Sequence, residues 1–399
     1  MGGWSVGNKA NKGDFVRGDL SPLQDLNELE AQWIDLQGRS ECSFFMSWAW
    51  IRPWVEAVAS DCQLYIYRCR HGERLVGLGI LCESAAKKRG ILPYREFSLN
   101  ECRQWDCNFW VEYNGLLTER SYTKKCWQNL FVVLSETDLV WHEIALSAVD
   151  AGVPEYCASA MDSTVDVLVE AKGEPWYVDL AEKDASMDQL LRKFSKNRRW
   201  QIRRSLKEYQ CEGAVELVEA KDVEEALDYF KSMGELHTAR WNSVGEAGVF
   251  SNPRWVNFHR SLIRGAFDTG AIQMLRLSSG MKSIGYIYNF VWRDEVCVLQ
   301  TGFVLEEDNV RKPGYLAHCM AMVVNAGRHI KRYDFLAGES QYKKSLAKAG
   351  HPMLWIKVRK KLIRFRLLAL LEGLYRFFRG KFGRKPGKGR GWTEHPTTQ

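Results

Sequence analysis

The strongest constraint on the fold is a repeat. Residues 64–77 and 272–285 lie 208 positions apart (272 − 64) and read as one pattern: Arg68 answers Arg276, Gly72 answers Gly280, Val76 answers Ile284 and Gly77 answers Gly285. Each copy has strand-like runs on either side of a glycine, the mark of two strands joined by a tight turn. Each also follows an aromatic-rich helical stretch, at 48–58 and 255–267. At 399 residues the chain exceeds what one hydrophobic core usually organises, so the repeat predicts two copies of one αβ domain. The alternative is two unrelated hairpins, since short hairpins resemble one another.

If the halves are copies, they differ where chemistry would sit. In the second, a strand-like run at 296–303 leads through Arg311-Lys312-Pro313-Gly314-Tyr315 into a helical run at 314–328 and then a strand-like run at 332–337. N–H groups of a first helical turn have no partner within the helix and carry the positive end of its dipole, so they hold a phosphate if no side chain obstructs it. Gly314 removes that side chain, Pro313 pre-sets a helical φ, and Arg311 adds a charge able to pair with phosphate. The first half reaches its helix through residues 117–123, which contain neither glycine nor proline. One cofactor site is therefore expected, in the second half, with the first half shaping an acceptor groove.

Charge separates along the chain. Residues 357–390 hold thirteen Lys or Arg against Glu372 alone, a local +12, which leaves 7 − 12 = −5 for the rest. Basic residues interleave with leucine and phenylalanine over 355–382, a composition suited to an amphipathic helix on an anionic membrane surface. A helix packed on the domain by its leucines is the plainer reading. The tail is expected to be removable from residue 357 without unfolding the protein. A second basic stretch, with eight Lys or Arg among the sixteen residues 192–207, reads as a helix linking the halves. It is either simply solvated or in contact with a polyanion, an RNA or a membrane.

Eleven cysteines are scattered with no CxxC pair and no Cys/His cluster at zinc spacing, so reduced thiols and no metal are expected. The start lacks a secretory pattern and no run of eighteen apolar residues occurs, so a cytoplasmic protein without a spanning helix is expected. Motifs of P-loop, serine hydrolase, zincin and dinucleotide-binding chemistry are absent. The expected division is a disordered 1–20, domains at 21–185 and 186–356, and the basic helix and tail at 357–399.

Several strings together are similar to the CelD/BcsL-like acetyltransferases associated with cellulose and exopolysaccharide synthesis, a branch of the GNAT superfamily. They are Leu236-His237-x-x-Arg240-Trp241, Gly245-x-x-Gly248-x-Phe250, Gly285-Tyr286-x-Tyr288, Lys312-Pro313-Gly314, and Tyr333-Asp334-Phe335-Leu336-x-Gly338-x-x-x-Tyr342-Lys343. The match is densest over 190–346, with a weaker echo at 45–57 and 112–117. The resemblance implies an α/β (α+β) chain of duplicated GNAT-like fold, the first domain degenerate. It implies transfer of an acyl group, chiefly acetyl, from coenzyme A to an amine or hydroxyl of an envelope or polysaccharide precursor. In such folds two parallel strands splay and the thioester arm lies between them; here these would be 295–303 and 332–337. Arg311, Lys312, Gly314 and Tyr315 would bind the cofactor. The loop departs from the superfamily in being poorer in glycine. The duplicated arrangement also resembles the FemAB-like aminoacyltransferases, whose donor is aminoacyl-tRNA, so nucleic acid is a partner only if tRNA is the donor. A membrane-bound protein that keeps the fold for binding alone is the non-enzymatic reading.

Acyl transfer needs a base for the acceptor, a donor for the oxyanion and an acid for the leaving group. His237 is the candidate base, because its ordinary pKa lies near neutrality. Arg240 shares its helical face. Asp334 is a second candidate base, or orients Lys343, and it points away from Tyr333 and Phe335 by strand alternation. Tyr342 is the candidate acid, and Glu339 a candidate cleft residue. Cys319 reads as a packing cysteine. Packing or surface pairing is the plain alternative for each.

Overall fold

The computed structural model describes residues 15–84, 87–89, 92–103, 111–161, 164–338 and 340–363. The first half runs β1 (Val16–Pro22), α1 (Leu26–Gly38), α2 (Trp48–Val58), β2 (Gln63–His71), β3 (Arg74–Glu83), the ribbon β4 (Lys87–Arg89) and β5 (Leu92–Tyr94), β6 (Glu96–Leu99), β7 (Leu117–Thr118), α3 (Thr123–Glu136), β8 (Glu143–Asp150), α4 (Val153–Met161), β9 (Val165–Gly173) and β10 (Trp176–Asp179). The second runs α5 (Met187–Leu191), α6 (Lys196–Gln210), β11 (Val215–Glu219), α7 (Val223–Ser243), α8 (Pro253–Ala266), β12 (Ile272–Ser279), β13 (Lys282–Trp292), β14 (Glu295–Phe303), α9 (Pro313–Ala326), β15 (Arg332–Asp334), α10 (Gln341–Leu346), β16 (Lys348–Ala349) and β17 (Met353–Lys360). Local chemistry sets many of the starts. Asp25 caps α1 by accepting from the N–H groups of Asn27 and Glu28, and Asp222 caps α7 by accepting from Glu225. Asn252 caps α8, with Pro253 in its first turn.

Two mixed sheets result, and they are the same sheet twice. The first is ordered β1-β2-β3-β6-β8-β17-β9, with β7 also on β3; the second is β11-β12-β13-β14-β15-β10-β16. Position by position the pairings agree: every neighbour is antiparallel except β6 with β8 and β14 with β15, each parallel over three residues. The repeated hairpins are β2–β3 and β12–β13, turned at Gly72 and Gly280, whose φ values are 59° and 55°. Their register shifts fall at Cys69/Arg70 and Leu277/Ser278, again 208 residues apart (277 − 69). Bulges at matching points in two copies are inherited features rather than accidents of packing.

The halves exchange one strand. The sixth place in the second sheet is filled by β10, which ends the first half, and the sixth place in the first sheet by β17, which ends the described chain. β17 lies between β8 and β9 and pairs with both, so each sheet is completed by the other half. The largest core cluster also spans both halves. Phe44 stacks on Phe290 with ring centroids 4.1 Å apart, and Trp50 meets Phe258 edge-on at 5.1 Å. The Trp292 indole donates to the Cys42 carbonyl across the same contact.

Four expectations are corrected here. Residues 16–20 are strand, not disordered, because β1 pairs along its length with β2, from Val16 opposite His71 to Pro22 opposite Tyr65; residues 1–14 lie outside the described residues. Residues 353–360 are strand rather than the start of an amphipathic helix: Ile356 and Val358 face the core while Lys357 and Arg359 pair with Glu170 and Glu143. The expected membrane-facing helix from residue 364 onward lies outside the described residues. Boundaries at 185/186 and 356/357 cut across the sheets, since β10 and β17 each serve the opposite half. The strand expected at 332–337 is shorter, ending at Asp334, because Leu336 takes a left-handed φ of 62°.

Candidate active site

The site begins where two parallel strands part. β14 and β15 are paired only at Glu295 with Arg332, Val296 with Tyr333 and Cys297 with Asp334, after which β14 continues to Phe303 paired with β13 but not with β15. A register shift against β13 between Tyr288 and Asn289 puts an extra residue into β14 just before Gln300, and such bulges bend a strand and re-aim its side chains. A cavity of about 240 Å³ opens beyond the parting, where α9 begins. Thr301 to Glu306, Lys312 to Tyr315, and His237, Arg240, Trp241, His318 and Tyr342 line it. Seven of the ten candidate residues therefore meet in one place: His237, Arg240, Arg311, Lys312, Gly314, Tyr315 and Tyr342.

The start of α9 is open. Five helices (α1, α6, α7, α8, α10) are capped by a side chain at their start, whereas Lys312 before α9 makes no such bond. A Cβ on Gly314 would come 3.3 Å from the Phe303 ring, so glycine leaves this approach clear. Lys312 is anchored by its backbone N–H donating to Ser205 Oγ of α6 at 2.8 Å. Arg198 of α6 lies 3.8 Å over the Tyr315 ring. Arg311, expected to pair with a phosphate, is held by carboxylates instead: Glu212 at 2.6 Å, Glu306 at 3.6 Å and Asp308 at 3.9 Å. Arg240 is half-buried and makes no ion pair among the described residues.

His237 has a defined tautomer. The Trp241 indole, which only donates, points its N–H at His237 Nε2 at 2.8 Å, so the neutral ring carries its proton on Nδ1. Nδ1 has no partner and is sealed beneath Gly248, whose Cβ position lies 2.7 Å away. Burial, with the Arg240 charge second, pushes its pKa down to about 4. The ring is thus neutral at working pH, and the lone pair a base requires is already engaged.

His318 was not anticipated, although it lies one helical turn beyond Gly314 and so faces the same way. Its ring stacks on Tyr342 at 5.7 Å and an 8° angle, and Nδ1 lies 3.1 Å from the Tyr333 hydroxyl. Burial holds its pKa down near 3. Cys319, on the same helix, is buried in the core as expected.

Asp334 and Lys343 do not line this cavity. They form a buried network with Glu112 and Tyr113 from the first half. The Tyr113 hydroxyl donates to Asp334 Oδ2 at 2.5 Å, the Leu336 N–H to Asp334 Oδ1 at 2.6 Å, and the Ala337 N–H to Glu112 Oε2 at 2.6 Å. Lys343 Nζ donates to the Ala337 carbonyl at 2.7 Å. Burial raises Asp334 to about 6 and lowers Lys343 to about 8. Tyr113 and Leu336 both sit at left-handed φ, 49° and 62°, conformations that cost non-glycine residues about 1–3 kcal/mol each. Glu339 lies outside the described residues.

A larger cavity, about 570 Å³, lies between the halves at the start of α3 and is lined by Tyr113, Asn114, Arg120, Asp150, Trp292, Glu295 and Arg332 among others. It occupies the place in the first half that the α9 cavity occupies in the second. Its helix start likewise has no side-chain cap, but it is led in by a 3-10 turn at Arg120–Tyr122 instead of a proline and a glycine, with the Thr118 and Thr123 hydroxyls 2.8 Å apart. It meets β14 at Glu295 and Cys297, while the α9 cavity meets the same strand from Thr301, four residues or roughly 13 Å further on.

Residues 195–344 match the model of the Acetyltransferase (GNAT) domain. Among solved structures the chain is similar to FemX, at 11% identity over 88% of this chain and 100% of that one, with a TM-score of 0.59. It is also similar to the C-terminal domain (DUF2156) of a putative lysylphosphatidylglycerol synthetase from Agrobacterium fabrum, at 12% identity over 87% and 96%, TM-score 0.49. A tandem GNAT protein from the clavulanic acid biosynthesis pathway gives 12% identity over 86% and 98%, TM-score 0.43. No curated protein matches the sequence. At 11% identity the FemX likeness shows the fold alone, and the match to the Acetyltransferase (GNAT) domain covers residues 195–344 of the second half.

Proposed function

We propose that the chain transfers an acyl group from coenzyme A to an amine or hydroxyl of a cell-envelope or exopolysaccharide precursor, with the donor's reactive end in the α9 cavity. The observation that carries this reading is the parting of β14 from β15 in front of an uncapped helix start whose second residue is glycine. Free N–H groups of the first turn receive the pyrophosphate. Lys312 and Arg240 add charge at the cavity wall. Tyr342, held flat against His318, is the group placed to protonate a leaving thiolate. His237 acts as a neutral ring that fixes Trp241 rather than as the base, because its Nε2 lone pair accepts the indole N–H. Asp334 and Lys343 tie the halves together behind the site. The test is transfer of labelled acetyl from coenzyme A by the purified chain, with Gly314→Val as the variant. Loss of donor binding with an unchanged melting temperature supports the site; undiminished binding rules it out.

One observation favours a second reading, the FemAB-like use of aminoacyl-tRNA. Helix α6 abuts α9 through Ser205 and Arg198. Its exposed Lys196, Arg204 and Lys207, with Arg192 just before it, make no ion pair among the described residues, and Trp200 stands exposed with Arg204 over its ring. Native mass spectrometry of freshly purified protein separates the readings by the mass it carries, coenzyme A or tRNA. No helix among the described residues is long and apolar enough to cross a membrane. Peripheral attachment to the inner membrane from the cytoplasm, through the basic tail to residue 382, completes the proposal.

A further inference from the structure

Three cysteines that are twenty residues apart in sequence converge in the first half. Cys62 directly precedes β2, Cys82 is the penultimate residue of β3, and Cys102 follows β6 by three residues. The sheet brings them together: Leu64 pairs with Cys82, and Cys82 pairs with Ser98. Their three sulfurs all lie within 4.8 Å of one another, with Cys62 and Cys102 Sγ 3.2 Å apart. All three are buried in the apolar cluster that joins the halves. We propose that Cys62, Cys82 and Cys102 form a site for one thiophilic metal ion, zinc(II) or copper(I).

The donor set selects the class of ion. Three sulfurs without an oxygen or imidazole among them suit soft cations and exclude magnesium or calcium. Sulfur–metal bonds of about 2.3 Å place sulfurs about 4 Å apart around a shared ion, which fits a triangle of this size. Binding forms the metal–sulfur bonds as the thiols ionise and release up to three protons to solvent, so affinity rises with pH. Its consequence is structural. The ion clips β2, β3 and the segment after β6, and Asp61, the neighbour of Cys62, pairs with Arg254 of α8 at 2.9 Å, so the clip sits beside the contact between halves.

The test uses the full-length chain, reduced and stripped of metal, titrated without oxygen with zinc(II) and separately with copper(I). The expected result is one ion retained per chain after desalting, thiolate-to-metal charge-transfer absorption, and a rise in melting temperature. Cys82→Ser is expected to weaken binding at least about a hundredfold, and Cys157→Ser, buried on α4, to leave it unchanged. Should Cys82→Ser fail to fold, Cys62→Ser at the edge of the cluster gives the same reading. Retention of no ion, binding unaffected by both cluster variants, or a Cys62–Cys102 disulfide in protein purified under reductant each overturns the proposal.

Discussion

At the scale of single residues, the site is governed by which hydrogen-bonding capacity is already used. His237 and Arg240 were legible as a pair because three-residue spacing puts them on one face of a helix. Trp241, one residue further on, decides what His237 can do by donating to Nε2. Activity is therefore predicted to show no titration of His237 between pH 5 and 8, since its pKa lies near 4, and a bell-shaped pH–rate profile whose lower limb near 6.5 disappears in His237→Gln would contradict this. Tyr113 and Glu112 were not legible as site neighbours, because they meet Asp334 and Ala337 across 221 and 225 residues of sequence. Tyr113→Phe removes a donor from a buried carboxylate and is predicted to destabilise the fold by about 1–3 kcal/mol in denaturant titrations. The folded pKa of Asp334, about 6, lies above its ordinary 3.8. Its stabilising contribution is thus fully present below about pH 4 and is lost as pH rises through 6. Asp334→Asn should flatten that part of the stability–pH curve, and a curve that keeps its slope would assign it to another group.

At the scale of elements, the turn at Gly280, the strand 295–303 and the helix after Pro313 were visible from alternation, glycine and proline. The role of 353–360 was not. Its alternation of Ile356 and Val358 with Lys357 and Arg359 merges into the leucine-rich basic run that follows, and only pairing with β8 and β9 distinguishes strand from helix. The consequence is a sharp boundary for truncation. Ending the chain at residue 363 is predicted to preserve the melting temperature, whereas ending it at 352 or 356 removes all or half of β17 from the interior of the first sheet and should give aggregated or unfolded protein by circular dichroism and gel filtration. Equal folding of both products would mean that the exchanged strand is dispensable. The tail's membrane role is therefore tested by deleting 364–399 rather than 357–399, with loss of membrane-bound protein as the expected outcome.

At the scale of the whole molecule, the repeat in the sequence proved to extend to strand order, parallel pairs and bulge position. The exchange of β10 and β17 could not be read from sequence, since either half's pattern is satisfied by its own sixth strand. Joined by that exchange and by a shared aromatic core, the halves are predicted to unfold in one cooperative transition. Trp50→Ala, at the contact with Phe258 and Phe290, should cost about 3–5 kcal/mol and lower the stability of both halves together; two separated transitions in calorimetry would show instead that each half stands alone. The central claim is that the donor binds in the second copy alone, where Gly314 clears the approach to the helix start. Its most direct test is calorimetric titration of the full chain with acetyl-coenzyme A, beside the Gly314→Val variant. The account predicts one site per chain, weakened about tenfold or more in the variant, about 1.4 kcal/mol or more. Two sites per chain, no binding at all, or binding that Gly314→Val leaves intact would contradict it.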